Sequence, residues 1–309
     1  MKALVSVVMP TFNRKHVLRR ALDSVFAQTI PEVEAIVVDD GSSDGTEAMI
    51  AEYPRPIVYV GQQNAGPAAA RNRGLKRAGG AFIAFLDSDD VFYPRHLEAS
   101  LAALERSPEA GLVYGANEVV DAEGRVVKVQ VPRPEDRGRV LPGLLFTNFV
   151  MPSTVVMRRE CYEAVGGMNE TLRFAEDWLY WLKMAERFPF EQVGEVLVRF
   201  QRSTVSASRL PIESLVAMNR EMFDLAFADP VLGPAIAPHR RAAYAAMHRA
   251  YAETALELLH MGTARKLLAQ SLRLSPWDPR LYSLLAKSLL PGWALKRARE
   301  AKRGKPTEL

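Results

Sequence analysis

The feature that most constrains the fold is an alternation of short apolar runs with helix-like segments in the first 90 residues. The apolar runs span residues 4–9, 33–38, 57–60 and 81–86. Segments with helical spacing or composition lie between them, at residues 17–25, 46–53 and 67–78. Because neighbouring parallel strands need a crossover connection, the alternation predicts an α/β fold, with a Rossmann-like, mostly parallel mixed sheet flanked by helices.

Polar residues follow three of these runs, at the edge where ligands bind in such sheets. The second run leads into DDGSSDG at 39–45, the third into QQNAG at 62–66, and the fourth ends in DSDD at 87–90. Turns and helix caps use the same residue types, so each loop alone also has a purely structural interpretation. Together the three loops predict a polar site along the carboxyl edge of the sheet.

The sequence changes in character at about residue 210. Beyond it the chain is rich in Ala, Leu and Arg, with apolar residues at helical spacing in 242–259, 263–272 and 279–289. We therefore predict a catalytic domain at 1–210 and a helical C-terminal region at 211–309 that ends in a basic tail. A helical bundle and a single unit of a helical-hairpin repeat both fit this region; the bundle is favoured, because a solenoid needs about three units or more.

The net charge of +4 is concentrated at the tail, since residues 291–309 alone carry a net of +4. The preceding residues balance, so we expect no nucleic-acid partner. No apolar run reaches the roughly 18 residues of a membrane-spanning helix. Trp293 precedes the positive cluster, so the tail is either a solvated helix end or a peripheral contact with the inner face of an anionic membrane. The single cysteine, Cys161, cannot form an intramolecular disulfide, which agrees with a cytoplasmic location.

Asp87 and Asp89 are the strongest candidates for metal binding. The chain has neither the dinucleotide-binding pattern G-x-G-x-x-G after a strand nor the phosphate-binding pattern G-x-x-x-x-G-K-[ST], so phosphates must be neutralised in another way. Two carboxylates directly after a buried strand suit a hard cation such as Mg²⁺ or Mn²⁺ and a ribose. Such a cation, bridging a diphosphate, stabilises the charge that grows as a sugar-phosphate bond breaks.

Four segments of the chain, in this order and spacing, resemble the inverting glycosyltransferases of family 2. They are VMPTFNR (8–14), VVDDGSSDGT (37–46), NAGPAAARNRG (64–74) and FLDSDD (85–90). The resemblance covers residues 1–206 and implies the GT-A fold. It also implies transfer of a sugar from a UDP-type donor to a hydroxyl of a glycan or lipid-linked acceptor, with Mn or Mg as cofactor.

The resemblance further implies a role for individual residues. Nucleotide-sugar binding is implied for Pro10, Thr11, Phe12, Asn13, Arg14, Asp39, Asp40, Asn64, Gly66, Arg71, Asp87 and Ser88. Asp40 is expected to accept a hydrogen bond from N3 of uracil, and Asp39 to support the loop from Pro10 to Arg14 or reach the ribose. Arg71 is expected near the donor phosphates or sugar, or else on a solvated helix face. Metal binding is implied for Asp89 first, with Asp87 on metal or ribose.

An acidic pair further along the chain is the candidate for the catalytic base. The stretches GGMNE (166–170) and AEDWLYWL (175–182) resemble the acceptor-site motif of the family, in which the Asp is usually the base. This implies Asp177 as base, beside Glu176, although acidic residues also stabilise the first turn of a helix. Trp178 and Trp181 lie three apart on that helix, a spacing more typical of the core than of an acceptor-binding pair.

One segment departs from the family pattern. Gln201 stands where many members have a His that meets the metal or diphosphate, so a third protein ligand is not expected there, while Arg199 or Arg202 could take the phosphate. A rival function is a catalytically inactive nucleotide-sugar sensor or scaffold. A nucleotidyltransferase is disfavoured, because PTFNR at 10–14 replaces the glycine-rich basic loop of that class. The sugar and the acceptor are left open by the sequence.

Overall fold

A computed structural model describes residues 4–201 and 210–291. The chain divides into two compact units, Met1–Arg209 and Leu210–Leu309. The basic tail and Arg202, for which membrane and phosphate contacts were predicted, lie outside the described residues.

The first unit is built around one sheet. Its strands are β1 (Val5–Thr11), β2 (Val33–Asp39), β3 (Ile57–Gly61), β4 (Phe82–Phe85), β5 (Val91–Phe92), β6 (Leu112–Val120), β7 (Val126–Gln130), β8 (Val156–Arg158) and β9 (Phe190–Gln201). Its helices are α1 (Lys15–Phe26), α2 (Thr46–Ala51), α3 (Pro67–Arg77), α4 (His96–Arg106), α5 (Leu141–Phe146), α6 (Arg159–Val165) and α7 (Glu176–Arg187).

The sheet order is β3-β2-β1-β4-β8-β6-β9-β5, with β7 paired to β6. Strands β1 to β4 are parallel to one another, as the alternation predicts. Strand β8 then runs antiparallel to both β4 and β6, and β9 is parallel to β6. The predicted fold class is confirmed, and the antiparallel pairs are concentrated in the second half of the sheet.

Strand β1 forms the centre of the parallel half because its side chains are apolar on both faces. Val7 and Val8 are both fully buried, although they point to opposite sides of the sheet. Helix α3 lies very close to this strand. A Cβ added to Gly74 would come within 2.4 Å of Cγ1 of Val8, so only a glycine permits this approach.

The second unit is helical, in agreement with the sequence. Its helices are α8 (Ile212–Ala228), α9 (Leu232–Ile236), α10 (Arg240–Glu257), α11 (Met261–Leu274) and α12 (Pro279–Ser288). Small residues such as Ala252 and Ala264 let these helices pack closely around Leu268 and Leu281. None of the helices within the described residues combines the length and the hydropathy needed to cross a bilayer.

Candidate active site

The acidic segment after β4 meets two arginines at the carboxyl edge of the sheet. Nη2 of Arg71 lies 2.7 Å from Oδ1 of Asp87, and Arg14 is ion-paired with Asp89. Both carboxylates are partly exposed, and both are neutralised by a guanidinium. The segment therefore offers two negative charges, each held by a group of opposite sign.

Arg71 joins this segment to the predicted base. Its side chain is buried, and its Nη1 lies 2.9 Å from Oε1 of Glu176, 105 positions away in sequence. Burial lowers the pKa of the Arg71 guanidinium, but the charges of Asp87 and Glu176 more than offset this and raise its pKa overall. Arg71 therefore stays charged and lies between the two acidic motifs, and the solvated-face interpretation of this residue is wrong.

We expect the substitution Arg71→Met to destabilise the first unit by about 3–5 kcal/mol, because it leaves the buried Glu176 and the partly exposed Asp87 without their counter-charge. Urea unfolding followed by circular dichroism measures this free energy. Arg73→Met is the matched control, since Arg73 is exposed on the same helix. A loss no larger than that of the control would mean that the bridge between Asp87 and Glu176 contributes nothing to the fold.

Asp177 has the electrostatic environment of a general base. It lies in the first turn of α7, where burial and the charge of Glu176 raise its pKa to about 7, against the opposing effect of Arg71. Its Oδ1 accepts a hydrogen bond from the Trp178 N–H at 2.7 Å. A carboxyl group that titrates near neutrality is matched to taking a proton at neutral pH, although burial alone produces the same shift in structural ion-pair networks.

Both tryptophans of α7 contribute to packing. Trp181 is fully buried, with its ring edge-on to Phe85, so the core interpretation is correct for it. The indole N–H of Trp178 donates to the Leu144 carbonyl at 2.8 Å, which fixes α7 against α5.

The loops after β1 and β2 are bound to each other. The Asn13 N–H donates to Oγ of Ser42 at 2.8 Å, and the Ser43 N–H donates to Oδ1 of Asn13 at 2.8 Å. Asn13 has a positive φ of 51°, a conformation that Asn tolerates better than most residues. The predicted nucleotide segment from Pro10 to Arg14 is thereby brought against the DDGSSDG loop, with Phe12 exposed beside it.

Asp39 and Asp40 are both buried and bind backbone groups of loops. Oδ1 of Asp39 accepts the Ser42 N–H at 2.8 Å, a contact within its own loop, so its support of the Pro10 to Arg14 loop stays a prediction. Asp40 accepts the Ala65 and Gly66 N–H groups, each at 2.8 Å, and the Gln62 side-chain amide at 2.7 Å. A carboxylate has about four acceptor positions, so the protein already uses most of those on Asp40. Base reading by Asp40 stays a prediction.

Other predicted positions differ in their surroundings. Ser88 is buried next to the two metal-ligand candidates, whereas Asn64 is exposed on the loop before α3. Gln201 donates its side-chain amide to the Asp121 carbonyl at 2.8 Å. Arg199 is ion-paired with Glu118 at 2.7 Å, which accounts for its charge without a phosphate.

Asp90 and Asn72 support the site and were not singled out from the sequence. Asp90 is buried; it accepts the Ser153 hydroxyl at 2.6 Å and the Gln201 N–H at 3.0 Å. Asn72 binds both backbone groups of Met168, at 2.7 and 2.9 Å, and so fixes the loop before α7. The sequence offers one signal for Asn72, which is its position inside a helical segment. A buried Asn side chain there needs hydrogen-bond partners from outside its own helix.

The donor set suits a cation that shares its coordination with a substrate. Within residues 4–201 and 210–291, no group of three or more His, Cys, Asp or Glu side chains is arranged to hold a metal ion. Mg²⁺ is commonly held by one or two carboxylates together with substrate phosphates. Asp87 and Asp89 fit that arrangement, because each is ion-paired with an arginine. A bound cation could supply the positive charge that the guanidinium now supplies.

The sequence of the chain is similar to glycosyltransferases from several bacteria. An uncharacterized glycosyltransferase of Rickettsia prowazekii, RP339, is 30% identical over 200 residues, which are 63% of each chain. The β-1,3-glucosyltransferase WfgD of Escherichia coli, whose name specifies UDP-Glc and α-D-GlcNAc-diphosphoundecaprenol, is 36% identical over 132 residues, 42% of this chain and 52% of that protein. A match to a Rickettsia felis relative spans 34% of that protein's length, and the match to RP339 spans 63%. The chain therefore covers less than two thirds of the length of these relatives.

Two solved structures resemble the chain in fold. Staphylococcus aureus TarS 1-349 in complex with UDP-GlcNAc has a TM-score of 0.64 and 19% identity, over 100% of this chain and 93% of that one. The mannosyltransferase PcManGT from Pyrobaculum calidifontis, in complex with GDP-Man and Mn²⁺, has a TM-score of 0.62 and 22% identity, over 96% of this chain and 81% of that one. At these identities the likeness is one of fold.

The sequence model of the family described as Glycosyl transferase family 2 matches residues 6–166. That range contains the four segments of the resemblance, the two arginines of the site and both strand-end carboxylates. The chain therefore belongs to glycosyl transferase family 2.

Proposed function

We propose that the protein is a metal-dependent, inverting glycosyltransferase that moves a sugar from a UDP-type donor to a hydroxyl of a glycan or lipid-linked acceptor. One observation carries the proposal. The buried Arg71 is ion-paired with Asp87 at 2.7 Å and with Glu176 at 2.9 Å. Asp177, the residue after Glu176, has a carboxyl group whose pKa is raised to about 7. This arrangement supports a donor site and a base that lie side by side.

The residues of the acidic segment account for the donor side. Asp89 and Asp87 would hold Mn²⁺ or Mg²⁺ together with the donor diphosphate. Bound there, the cation stabilises the negative charge that develops on the departing diphosphate. Arg14 and Arg71, which now neutralise these carboxylates, supply positive charge to the same region for the phosphates. The exposed ring of Phe12 is available to a nucleotide base.

Asp177 accounts for the acceptor side. We assign it the proton of the acceptor hydroxyl, whose oxygen attacks the anomeric carbon opposite the nucleotide. The new bond joins that oxygen to the carbon, and the electron pair of the broken sugar-phosphate bond leaves with the diphosphate. Because the pKa of Asp177 is about 7, the unprotonated form increases as the pH rises through 7, and transfer should increase with it.

The acceptor and the location of the enzyme belong to the same proposal. WfgD carries a diphosphoundecaprenol substrate in its name, which supports a lipid-linked acceptor for this chain. The cluster of Lys and Arg at 296–305 supports a cytoplasmic enzyme that contacts the inner face of the membrane peripherally.

A thermal-shift series with nucleotides tests the donor class. We expect UDP with Mn²⁺ to raise the melting temperature, since a ligand at 100 times its Kd adds about 2.7 kcal/mol to the free energy of unfolding. GDP with Mn²⁺ is the control, because PcManGT binds GDP-Man. A larger shift with GDP would refute the UDP assignment. A shift with UDP without hydrolysis of any UDP-sugar would favour the inactive sensor.

A further inference from the structure

Helix α12 has two apolar faces, and one of them is exposed. Leu281 is fully buried in the core of the second unit. Tyr282, Ala286 and the C-cap residue Leu289 are spaced by four and three residues, so they lie on one side of the helix, about 100° round the axis from Leu281. Tyr282 is 54% exposed and Leu289 is 68% exposed. A helix that packs in its own unit through one apolar face does not need a second apolar face that is exposed to solvent.

An exposed tryptophan lies at the start of the same helix. Trp277 is 92% exposed, which is unusual for the largest apolar side chain. The Tyr282 hydroxyl donates to the Pro276 carbonyl at 2.7 Å, so the tyrosine is held against the segment that carries Trp277. Two exposed aromatic side chains therefore lie at the start of α12.

More exposed leucines lie at the other end of α12. Short connections, residues 258–260 and 275–278, join α10, α11 and α12, so successive helices run in opposite directions. The end of α12, with the exposed Leu289 and Leu290, thus lies at the same end of the unit as the exposed Leu258 and Leu259. We name the set of Trp277, Tyr282, Leu289, Leu290, Leu258 and Leu259 the α12 surface.

Charge is segregated along the chain around this surface. Residues 258–309 contain 11 Lys or Arg and 3 Asp or Glu, a net of +8, whereas residues 1–257 carry a net of −4. The one acidic residue of 258–291 is Asp278, which is ion-paired with Arg249 and Arg280. A two-fold symmetric contact with a second copy of the chain would bring like charge against this segment, which opposes self-association through it. Apolar groups amid positive charge match an anionic lipid interface.

We propose that the α12 surface docks on an anionic membrane, with Trp277, Tyr282 and Leu289 entering the interface between headgroups and acyl chains. Trp and Tyr favour this depth because their rings are apolar and their N–H or O–H stays hydrated. The proposal rests on the proposed function for its purpose, which is access to a lipid-linked acceptor. It adds an apolar anchor to the electrostatic attraction of the basic tail.

Vesicle sedimentation with the full chain tests the apolar anchor separately from the tail. The triple variant Trp277→Ser, Tyr282→Ser, Leu289→Ser keeps residues 292–309 and every charge. We expect this variant to bind vesicles of phosphatidylglycerol and phosphatidylcholine at least about tenfold more weakly than the wild type, because each substitution removes apolar area that the membrane would bury. Val231→Ser is the matched control, because Val231 is 45% exposed in the same unit and lies outside the surface.

Two further measurements decide the outcome. In a Trp293→Phe background, acyl-brominated lipids should quench tryptophan fluorescence, and the further change Trp277→Phe should lose most of that quenching while keeping its binding. UDP-sugar hydrolysis in solution should be equal in all variants, so that a failed surface and a failed enzyme are distinguishable. Equal vesicle binding by the triple variant overturns the proposal. The proposal is also overturned if the wild-type chain forms a dimer that the triple variant does not form, or if the wild-type chain binds a DNA duplex more strongly than vesicles.

Discussion

Asp177→Asn should reduce sugar transfer by about 10²–10⁴-fold, the range typical for loss of a general base. The asparagine amide has nearly the same shape as the carboxyl group, but it cannot take a proton from the acceptor hydroxyl. The affinity for UDP with Mn²⁺ should be unchanged, because Asp177 is not one of the residues assigned to the cation and the donor diphosphate. Radiolabelled sugar transfer and isothermal calorimetry with UDP measure the two quantities.

The same variant should change stability in a pH-dependent way. The pKa of Asp177 is raised to about 7 in the folded chain, so the stability contributed by its protonated form is present below the ordinary Asp pKa and is lost as the pH rises through 7. Asp177→Asn removes this loss, so it should melt at a higher temperature than the wild type at pH 8 and show less advantage at pH 5. Glu186→Gln, on the same helix, is the control. Transfer at the wild-type rate would require another base.

Asp89→Ala should abolish Mn²⁺-dependent hydrolysis of UDP-sugars, a loss of more than about 10²-fold, since a cation on the diphosphate supplies several kcal/mol to the transition state. Asp89 and Asp87 are the two carboxylates of the acidic segment that face Arg14 and Arg71. Removal of one leaves a single protein ligand for the cation. Release of UDP, followed with a coupled assay over a Mn²⁺ titration, measures the effect.

Asp121→Ala is the matched control for Asp89→Ala, because it removes a carboxylate from the turn after β6, where it binds Arg125. It should keep the Mn²⁺ response of the wild type. A chelator should inactivate the wild type and the control alike, and added Mn²⁺ should restore both. If Asp89→Ala kept the wild-type response to Mn²⁺, the metal would have to bind elsewhere or play no part.

The parallel half of the sheet could be predicted from sequence because its inner strands, β1 and β2, are largely buried on both faces. β1 and β2 are mostly apolar, interrupted only by Ser6 and Glu34 before their last residues, and each is followed by a polar loop, which is typical of such strands. β9 carries Glu191, Gly194 and Glu195, so its apolar pattern is interrupted. Its pairing with β6 depends on tertiary packing rather than on a local pattern, and the sequence did not predict it.

The site shows the same division between local and distant information. The convergence of the polar loops followed from the rule that parallel strands end at one edge, and the structure brings those loops together. The ion pair of Arg71 with Glu176 joins two elements that no short motif connects. The burial of Asp90 could not be predicted either, because an Asp that follows D-x-D is also what an ordinary exposed loop contains. Its role depends on Ser153, which comes from another part of the chain.

The tight contact of Gly74 with Val8 has a consequence for engineering this protein. Replacing a helical glycine with alanine is a common way to raise thermal tolerance, because alanine favours the helix. Here the added methyl group would push α3 away from the sheet, and Arg71 is one turn earlier on that helix. A change chosen to strengthen the scaffold would therefore misplace the guanidinium that links both acidic motifs, at a position that touches no ligand.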